Sequence, residues 1–438
     1  MKYSHTRAAV LGLGTSGGAA AKLLQSQGAR VTVFDSGKPD PEKVLGLREL
    51  GVSVVTGEAA EAAEGVYDLT VVSPGIDPVV PLVQNFLRQG AVLTGELEVA
   101  FRFCTRPVIA ITGTNGKTTT TQLIASMLGA AGLRTVACGN IGLPFCEAVQ
   151  RQDEFDLFTV EVSSFQLETI STFRPTVAVW LNLTPDHLDR YPSLWEYRTA
   201  KLRVFENQRS SDFAVTNYAD DLPGIAARQI RFSAYLKGCD FTLQGETIQF
   251  RGEPVLSMRE TQMRGIHNAE NIMAALGTAY ALQLPWEKVK GGLTEYRLLP
   301  HRCEKVGEIG EVSFINDSKA TNLDALAKAL ESQPKPVVLI AGGKDKGFEF
   351  DAIIDLVRDK VKHAVLIGEM ADRILQSWSK VVPCSFAQTL REAVNQARQH
   401  SLPGEVVLFS PGTSSFDMFK NYADRGNQFR AIIQELAR

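Results

Sequence analysis

"PVIAITGTNGKTTTTQLIASML", residues 107–128, opens as an apolar run, turns through glycine, and continues with a lysine and four threonines. The apolar run reads as a buried strand, and the stretch after the lysine reads as a helix. Between them, Gly113-Thr114-Asn115-Gly116-Lys117-Thr118 matches the second half of the phosphate-loop pattern GxxxxGK[ST]. Ile111 stands where that pattern has its first glycine. Glycine at 113 and 116 permits positive φ and close backbone approach. Successive N–H groups and the following helix N-terminus form an anion site. Lys117 would reach the β- and γ-phosphates, and the Thr118 hydroxyl would ligate Mg²⁺. The alternative is a plain strand-to-helix turn with a surface lysine. A strand before, a helix after and GKT between favour a nucleoside triphosphate.

The same strand–glycine–helix design recurs in "RAAVLGLGTSGGAAAKLL" (7–24), "PVVLIAGGKDKGFEF" (336–350) and "EVVLFSPGTSSFDMF" (405–419). Such alternation implies βαβ units and largely parallel sheets, an α/β fold. With 438 residues the chain is too long for one core. Breaks near residues 93–106 and 296–304 divide it into three α/β domains. Ligands are then expected at the loops beyond the carboxyl ends of the strands.

Composition narrows the class. Charged residues make up 22% and the net charge is −3, so nothing global points to nucleic acid or an anionic membrane. No apolar run reaches the ~18 residues of a membrane span. The N-terminus reads as the lead-in to a first strand and not as a signal peptide. Six scattered cysteines without a CxxC pair favour buried thiols in a reducing compartment, hence a cytoplasmic protein.

A metal beside the loop needs further ligands. "DLFTVEVSSFQLE" (156–168) ends an apolar strand near Glu161, and "TVAVWLNLTPDHLDRY" (176–191) ends another before Asp186 and His187. Glu161 is either a metal ligand or an interior charge with an ion-pair partner. His187 is either a ligand or a cap of the next helix. "VLGLGTSGG" carries Gly12, Gly14 and Gly17, with Asp35 ending the next strand, which is the dinucleotide-binding fingerprint in its usual context. Read alone it suggests an NAD-dependent oxidoreductase. Beside a GKT loop it suggests a first domain that binds the diphosphate of a nucleotide-bearing substrate.

"ITGTNGKTTT", "GNIGLP", "EVSSFQLE", "LNLTPDHLDRY", "YRTAKLRVFEN", "GIHNAENIMAA", "LPHRCE", "INDSKATN" and "SPGTSSFDMFKNYADRGNQF" occur in this order. Together they resemble the Mur ligase family, the ATP-dependent amino-acid ligases of peptidoglycan precursor synthesis, across essentially the whole chain. The last two segments resemble the members that add D-glutamate to UDP-MurNAc-L-Ala. The resemblance implies a Rossmann-like domain at 1–95 for the UDP substrate. It implies a central P-loop ATPase domain at 96–299 and a Rossmann-like closing domain at 300–438 for the amino acid. It implies ATP as co-substrate, two Mg²⁺ ions, a carbamylated Lys201 and a monomer.

Residue by residue, the resemblance implies that Gly113, Thr114, Asn115, Gly116, Lys117, Thr118 and Thr119 hold ATP, with Asn268, Asn271, Arg302 and Asp317. Lys117, Glu161, His187 and Lys201 would be catalytic; Thr118, Glu161, His187 and the Lys201 carbamate would hold metal. Without the resemblance Lys201 reads as a solvated helix lysine, and Asn268 and Asn271 as surface or capping amides. Gly14, Thr15, Ser16, Asp35, Ser73, Asn140 and His187 would contact the UDP substrate. After Asp35 this chain has Ser36-Gly37-Lys38 where the family places Thr-Arg, so Lys38 is the candidate substitute for the arginine. Lys346, Thr321, Ser415 and Tyr422 would clasp D-glutamate, with Lys344 a rival to Lys346 and Tyr422 standing where the family often has Phe.

Overall fold

The structure is a computed structural model that describes residues 3–188, 190–345 and 347–437. The first sheet contains β1 (Arg7–Leu11), β2 (Arg30–Asp35), β3 (Ser53–Thr56), β4 (Leu69–Val72) and β5 (Leu93–Gly95). Their order is β3-β2-β1-β4-β5, all parallel. Ala8 to Leu11 are wholly buried, as expected for a strand covered on both faces. The strand order reverses beside β1, which opens a crevice beyond its carboxyl end. Gly17, in the first turn of the flanking helix Thr15–Ser26, lies so close to the preceding turn that a Cβ there would lie 2.0 Å from the Gly12 carbonyl oxygen.

The second sheet is built from β6 (Val108–Thr112), β7 (Thr135–Gly139), β8 (Leu157–Glu161), β9 (Val177–Trp180), β10 (Phe213–Asn217), β11 (Arg228–Ser233), β12 (Phe241–Gln244), β13 (Thr247–Phe250) and β14 (Glu253–Ser257). Its order is β14-β13-β12-β11-β10-β9-β6-β8-β7. The strands from β7 through β12 are parallel, while β13 and β14 are antiparallel additions at the edge. Two tight hairpins make that edge, with Gly245 and Gly252 at positive φ. Every residue of β6 is buried, which fixes the loop that follows it.

The third sheet holds β15 (Glu304–Ile309), β16 (Val312–Asn316), β17 (Val337–Ala341), β18 (Val361–Leu366), β19 (Cys384–Phe386) and β20 (Val406–Phe409) in the order β15-β16-β20-β17-β18-β19. Only β15 runs antiparallel; Gly310 and Glu311, both at positive φ, turn it into β16.

These sheets fall in two compact units. The first comprises Met1–Leu183, Tyr197–Thr261 and Asn268–Tyr296 and contains the first two sheets. Inside it the helix Glu96–Phe103 is fastened by Glu98, whose buried carboxylate accepts from Ser171 N, Thr172 N, Thr172 Oγ1 and Phe173 N and pairs with Arg102. The second comprises Thr184–Glu196, Gln262–His267 and Arg297–Arg438 and contains the third sheet. All six cysteines are free; Cys138 and Cys146 are buried, and the other four are half-buried rather than buried. Among the described residues no helix is long and apolar enough to cross a membrane.

Candidate active site

The loop after β6 has the geometry its glycines suggest. Gly113 has φ 150° and Gly116 φ 84°, and a helix, Lys117–Ala130, starts at the lysine. A Cβ on Gly116 would sit 2.5 Å from Asn271 Oδ1, so the position is closed to other residues sterically as well as conformationally. Lys117 Nζ donates to Gly113 O at 3.0 Å and Thr114 O at 2.9 Å. The ammonium is thereby folded back over the loop, where an entering phosphate would replace carbonyl partners. In the first turn of that helix Thr118 is half-buried and Thr119 buried.

Asn182, which follows β9, supports this loop and was not singled out in the sequence. Its carbonyl accepts from Thr114 N, its Oδ1 accepts from Asn115 N, and its Nδ2 donates to Asn115 O. The available signal was an asparagine just past the end of a buried strand, where backbone amides of a neighbouring loop need a partner. Asn271 Oδ1 accepts from Thr120 Oγ1, and Asn271 Nδ2 donates to Asn268 Oδ1 at 3.2 Å. Both amides are buried, so the surface reading does not hold.

Glu161 lies in β8 opposite Ile111 of β6 and is 2% exposed. Its Oε1 accepts from Asn140 Nδ2 at 3.0 Å, while its buried Oε2 has no hydrogen-bond partner. No ion-pair partner is present for it among the described residues. An unpaired carboxylate oxygen buried in a strand is costly unless a cation takes it. Asn140 is therefore fixed to Glu161 twice, since its backbone N–H also donates to Glu161 O.

Lys201 is not a solvated lysine. It is 1% exposed, its Nζ donates to Gly113 O at 2.8 Å, and it stands 4.7 Å over the Tyr197 ring. The Lys117 and Lys201 ammonium groups thus converge on one carbonyl oxygen of the phosphate loop. Lys117, Glu161, Asn140, Lys201, Asn268 and Asn271 belong to the first unit. Asp186 and His187 belong to the second, where His187 has φ 55° and its N–H donates to Asp186 Oδ1. Asp186 Oδ2 accepts from Asn322 Nδ2.

At the carboxyl end of β1 a cavity of about 650 Å³ is lined by Gly14, Thr15, Ser16, Asp35 and Ser73 among others. Asp35 Oδ2 accepts from Leu13 N at 2.6 Å and Oδ1 from Gly37 N at 2.8 Å; Ser73 Oγ donates to Gly12 O. The carboxylate therefore shapes the glycine turn and its following loop as well as facing the cavity.

In the second unit, His301 and Cys303 flank Arg302 and both adopt left-handed φ, 66° and 46°. Asp317 is buried; its Oδ1 accepts from Cys303 N and its Oδ2 from Ser410 Oγ. Burial pushes its pKa up to about 6 against those hydrogen bonds. Lys319 Nζ sits 3.8 Å over the Tyr422 ring, Ser415 is buried and Thr321 half-buried. Lys344 is exposed, and its N–H donates to Ser414 O. Lys346 lies outside the described residues.

Comparison with known proteins agrees over the whole chain. Residues 6–95 match the Mur ligase MurD-like N-terminal domain, 111–279 the Mur ligase middle domain, and 301–412 the Mur ligase glutamate ligase domain. A UDP-N-acetylmuramoylalanine--D-glutamate ligase from Pelotomaculum thermopropionicum is 41% identical, covering 99% of this chain and 98% of its own. Another, from Trichlorobacter lovleyi, is 42% identical and covers both chains completely. Among solved structures, the UDP-N-acetylmuramate-alanine ligase MurC of Thermotoga maritima aligns with a TM-score of 0.64 at 19% identity, covering 98% of this chain and 100% of that one. The last of these likenesses establishes a shared three-domain α/β fold; the first two establish kinship, and the chain belongs to the Mur ligase family.

Proposed function

We propose that this protein joins D-glutamate to UDP-MurNAc-L-Ala with consumption of ATP, a step of peptidoglycan precursor synthesis. The observation that carries this reading is the 41–42% identity, end to end, with ligases of that name. In the proposed reaction a substrate carboxylate oxygen attacks the γ-phosphorus and ADP leaves. The amino group of D-glutamate then adds to the acyl phosphate, loses a proton, and expels inorganic phosphate to leave an amide. Both partners of the first step are anionic, so the site must neutralise charge. Lys117 and the loop N–H groups would do so once the phosphates displace the carbonyl contacts.

Magnesium fits this donor set. The orphaned Glu161 Oε2 supplies one hard oxygen, and Mg²⁺ commonly takes one or two carboxylates and fills its shell with phosphates and water. Two ions are proposed, held by Thr118, Glu161, His187 and Lys201 as a carbamate; when bound, they supply charge neutralisation at the phosphates. A carbamate forms when a neutral Lys201 amine adds CO₂ and releases a proton. Within the domain limits 1–95, 96–299 and 300–438, the first would hold the UDP end at Gly14, Thr15, Ser16, Asp35 and Ser73. Asn140 and His187 would meet the muramoyl end, Asn268, Asn271, Arg302 and Asp317 the nucleotide, and Thr321, Ser415, Tyr422 and Lys346 the amino acid. A cytoplasmic monomer acting on small molecules alone completes the reading.

Phosphate release from Mg²⁺-ATP and UDP-MurNAc-L-Ala, measured with each amino acid in turn, tests it. Release confined to D-glutamate, with a product heavier by one glutamyl residue, is expected. Release with a different amino acid overturns the substrate, and release with none overturns the ligase.

A further inference from the structure

Arg425 is one of the largest fully buried side chains in the protein, with none of its surface exposed. Among the described residues no carboxylate comes within ion-pair distance of its guanidinium; Asp417 and Asp317 act on it only through space. Its donors go instead to the ends of two strands. Nε donates to Ser318 Oγ at 3.0 Å and Nη2 to Ser318 O at 2.8 Å, just beyond β16. Nη1 and Nη2 reach Thr413 O, and Nη1 reaches Ser414 O, each at 3.3 Å, just beyond β20.

Neighbouring contacts extend this junction. Ser414 O also accepts from Lys344 N, beyond β17. A Cβ on Gly343 would meet Ser414 O, Thr413 Oγ1 and Arg425 Nη1, so glycine is needed for that loop to close on the guanidinium. Arg425 itself belongs to the helix Tyr422–Leu436, and Ser318 Oγ donates to Tyr422 O at 2.8 Å. One residue on, a Cβ on Gly426 would lie 2.3 Å from His301 Nδ1, so only glycine leaves room for that ring, and the Gly426 carbonyl accepts from Asn316 Nδ2. The guanidinium is thus the common partner of the segments that carry Thr321, Ser415 and Tyr422.

We propose that Arg425 is a positioning residue for the amino-acid subsite, holding the loops that carry Thr321 and Ser415 in register with its own helix, which Tyr422 opens. The proposal rests on the reading of those residues as D-glutamate contacts. Its physical basis is the rigid planar fork of five donors, which fixes distances between separate carbonyls where a lysine ammonium cannot. A buried cation without an ionic partner is a poor stabiliser compared with apolar packing. Its value lies in geometry, because a binding subsite made of loops keeps its shape only if a shell behind it is locked.

The test uses the full chain with Mg²⁺-ATP, UDP-MurNAc-L-Ala and varied D-glutamate, for wild type, Arg425→Lys and Arg425→Met. Both variants should raise the KM for D-glutamate by about ten-fold or more while moving the KM for ATP and for the UDP substrate by less than about two-fold. A purely structural role would lower kcat with the fraction of folded enzyme and leave every KM alone; that result overturns the proposal. If both variants fail to fold, Ser318→Ala removes the Nε acceptor and should raise the D-glutamate KM by a few-fold; an unchanged KM there overturns it too. Wild-type turnover with a different amino acid overturns only the glutamate reading, and that amino acid's KM then takes D-glutamate's place in the same comparison.

Discussion

Replacing Glu96 by glutamine should change how the stability of the first unit depends on pH. Glu96 opens the helix Glu96–Phe103 and is 1% exposed. Its Oε1 accepts from Cys146 N at 2.5 Å, while Oε2 is buried with no partner. Burial raises its pKa from 4.5 to about 7, with the Cys146 hydrogen bond opposing. The nearby Cys138 and Cys146 thiols are held neutral by their own burial and then by the Glu96 charge, so neither adds a second anion beside it. The folded state therefore binds the proton more tightly than the unfolded chain. Stability from this group is complete below pH 4.5 and is lost as pH rises through about 7. Differential protonation over that window is worth about 3 kcal/mol. Glutamine keeps an oxygen for Cys146 N and carries no charge at any pH. Urea unfolding of wild type and Glu96→Gln, followed from pH 4.5 to 8.5, should show a stability difference growing by about 3 kcal/mol in favour of the variant. A difference that stays constant across that range would refute the argument.

Three further outcomes follow from the site. Lys117→Ala should lower ATP-dependent turnover by ~10²-fold or more, the scale of one lost electrostatic contact to a transition state, and near-normal phosphate release would remove the phosphate-loop assignment. Lys201→Ala should abolish ligation, with partial recovery in bicarbonate or a small carboxylate if a carbamate is the working form; full activity without additive would dismiss that role. Gly116→Ala should destroy nucleotide binding measured by calorimetry, because its Cβ would meet Asn271 Oδ1 at 2.5 Å and its φ of 84° costs about 1–2 kcal/mol in a non-glycine residue; unaltered affinity would show that the loop can rearrange.

Much of this architecture is written in local pattern. Apolar runs ending in glycine marked strands and the turns after them, because a strand covered on both faces must be apolar throughout and the turn beyond it must leave the β region. That logic located the 113–118 loop, the crevice at Gly12–Gly17 and the three α/β regions. It did not foresee the antiparallel edge formed by β13 and β14, whose pairing depends on two short hairpins rather than on periodicity. Motif resemblance, not spacing, singled out Lys201, Arg302 and Ser415.

Tertiary structure alone decided what those side chains meet. A lysine in "YRTAKLRVFEN" gives no local sign that it is buried 2.8 Å from Gly113 O, 88 residues away in the chain. Asn182 props the phosphate loop, Glu161 keeps one oxygen unpaired, and Arg425 gathers the ends of β16 and β20. The Asn182–Asn115 and Arg425–Ser318 contacts join segments far apart in sequence, and the Glu161 oxygen is marked by the lack of any such partner. Local propensity and hydrophobic period act over a few residues and fix which strands and turns form. The fate of a buried charge or amide depends on which distant backbone groups the folded chain brings to it.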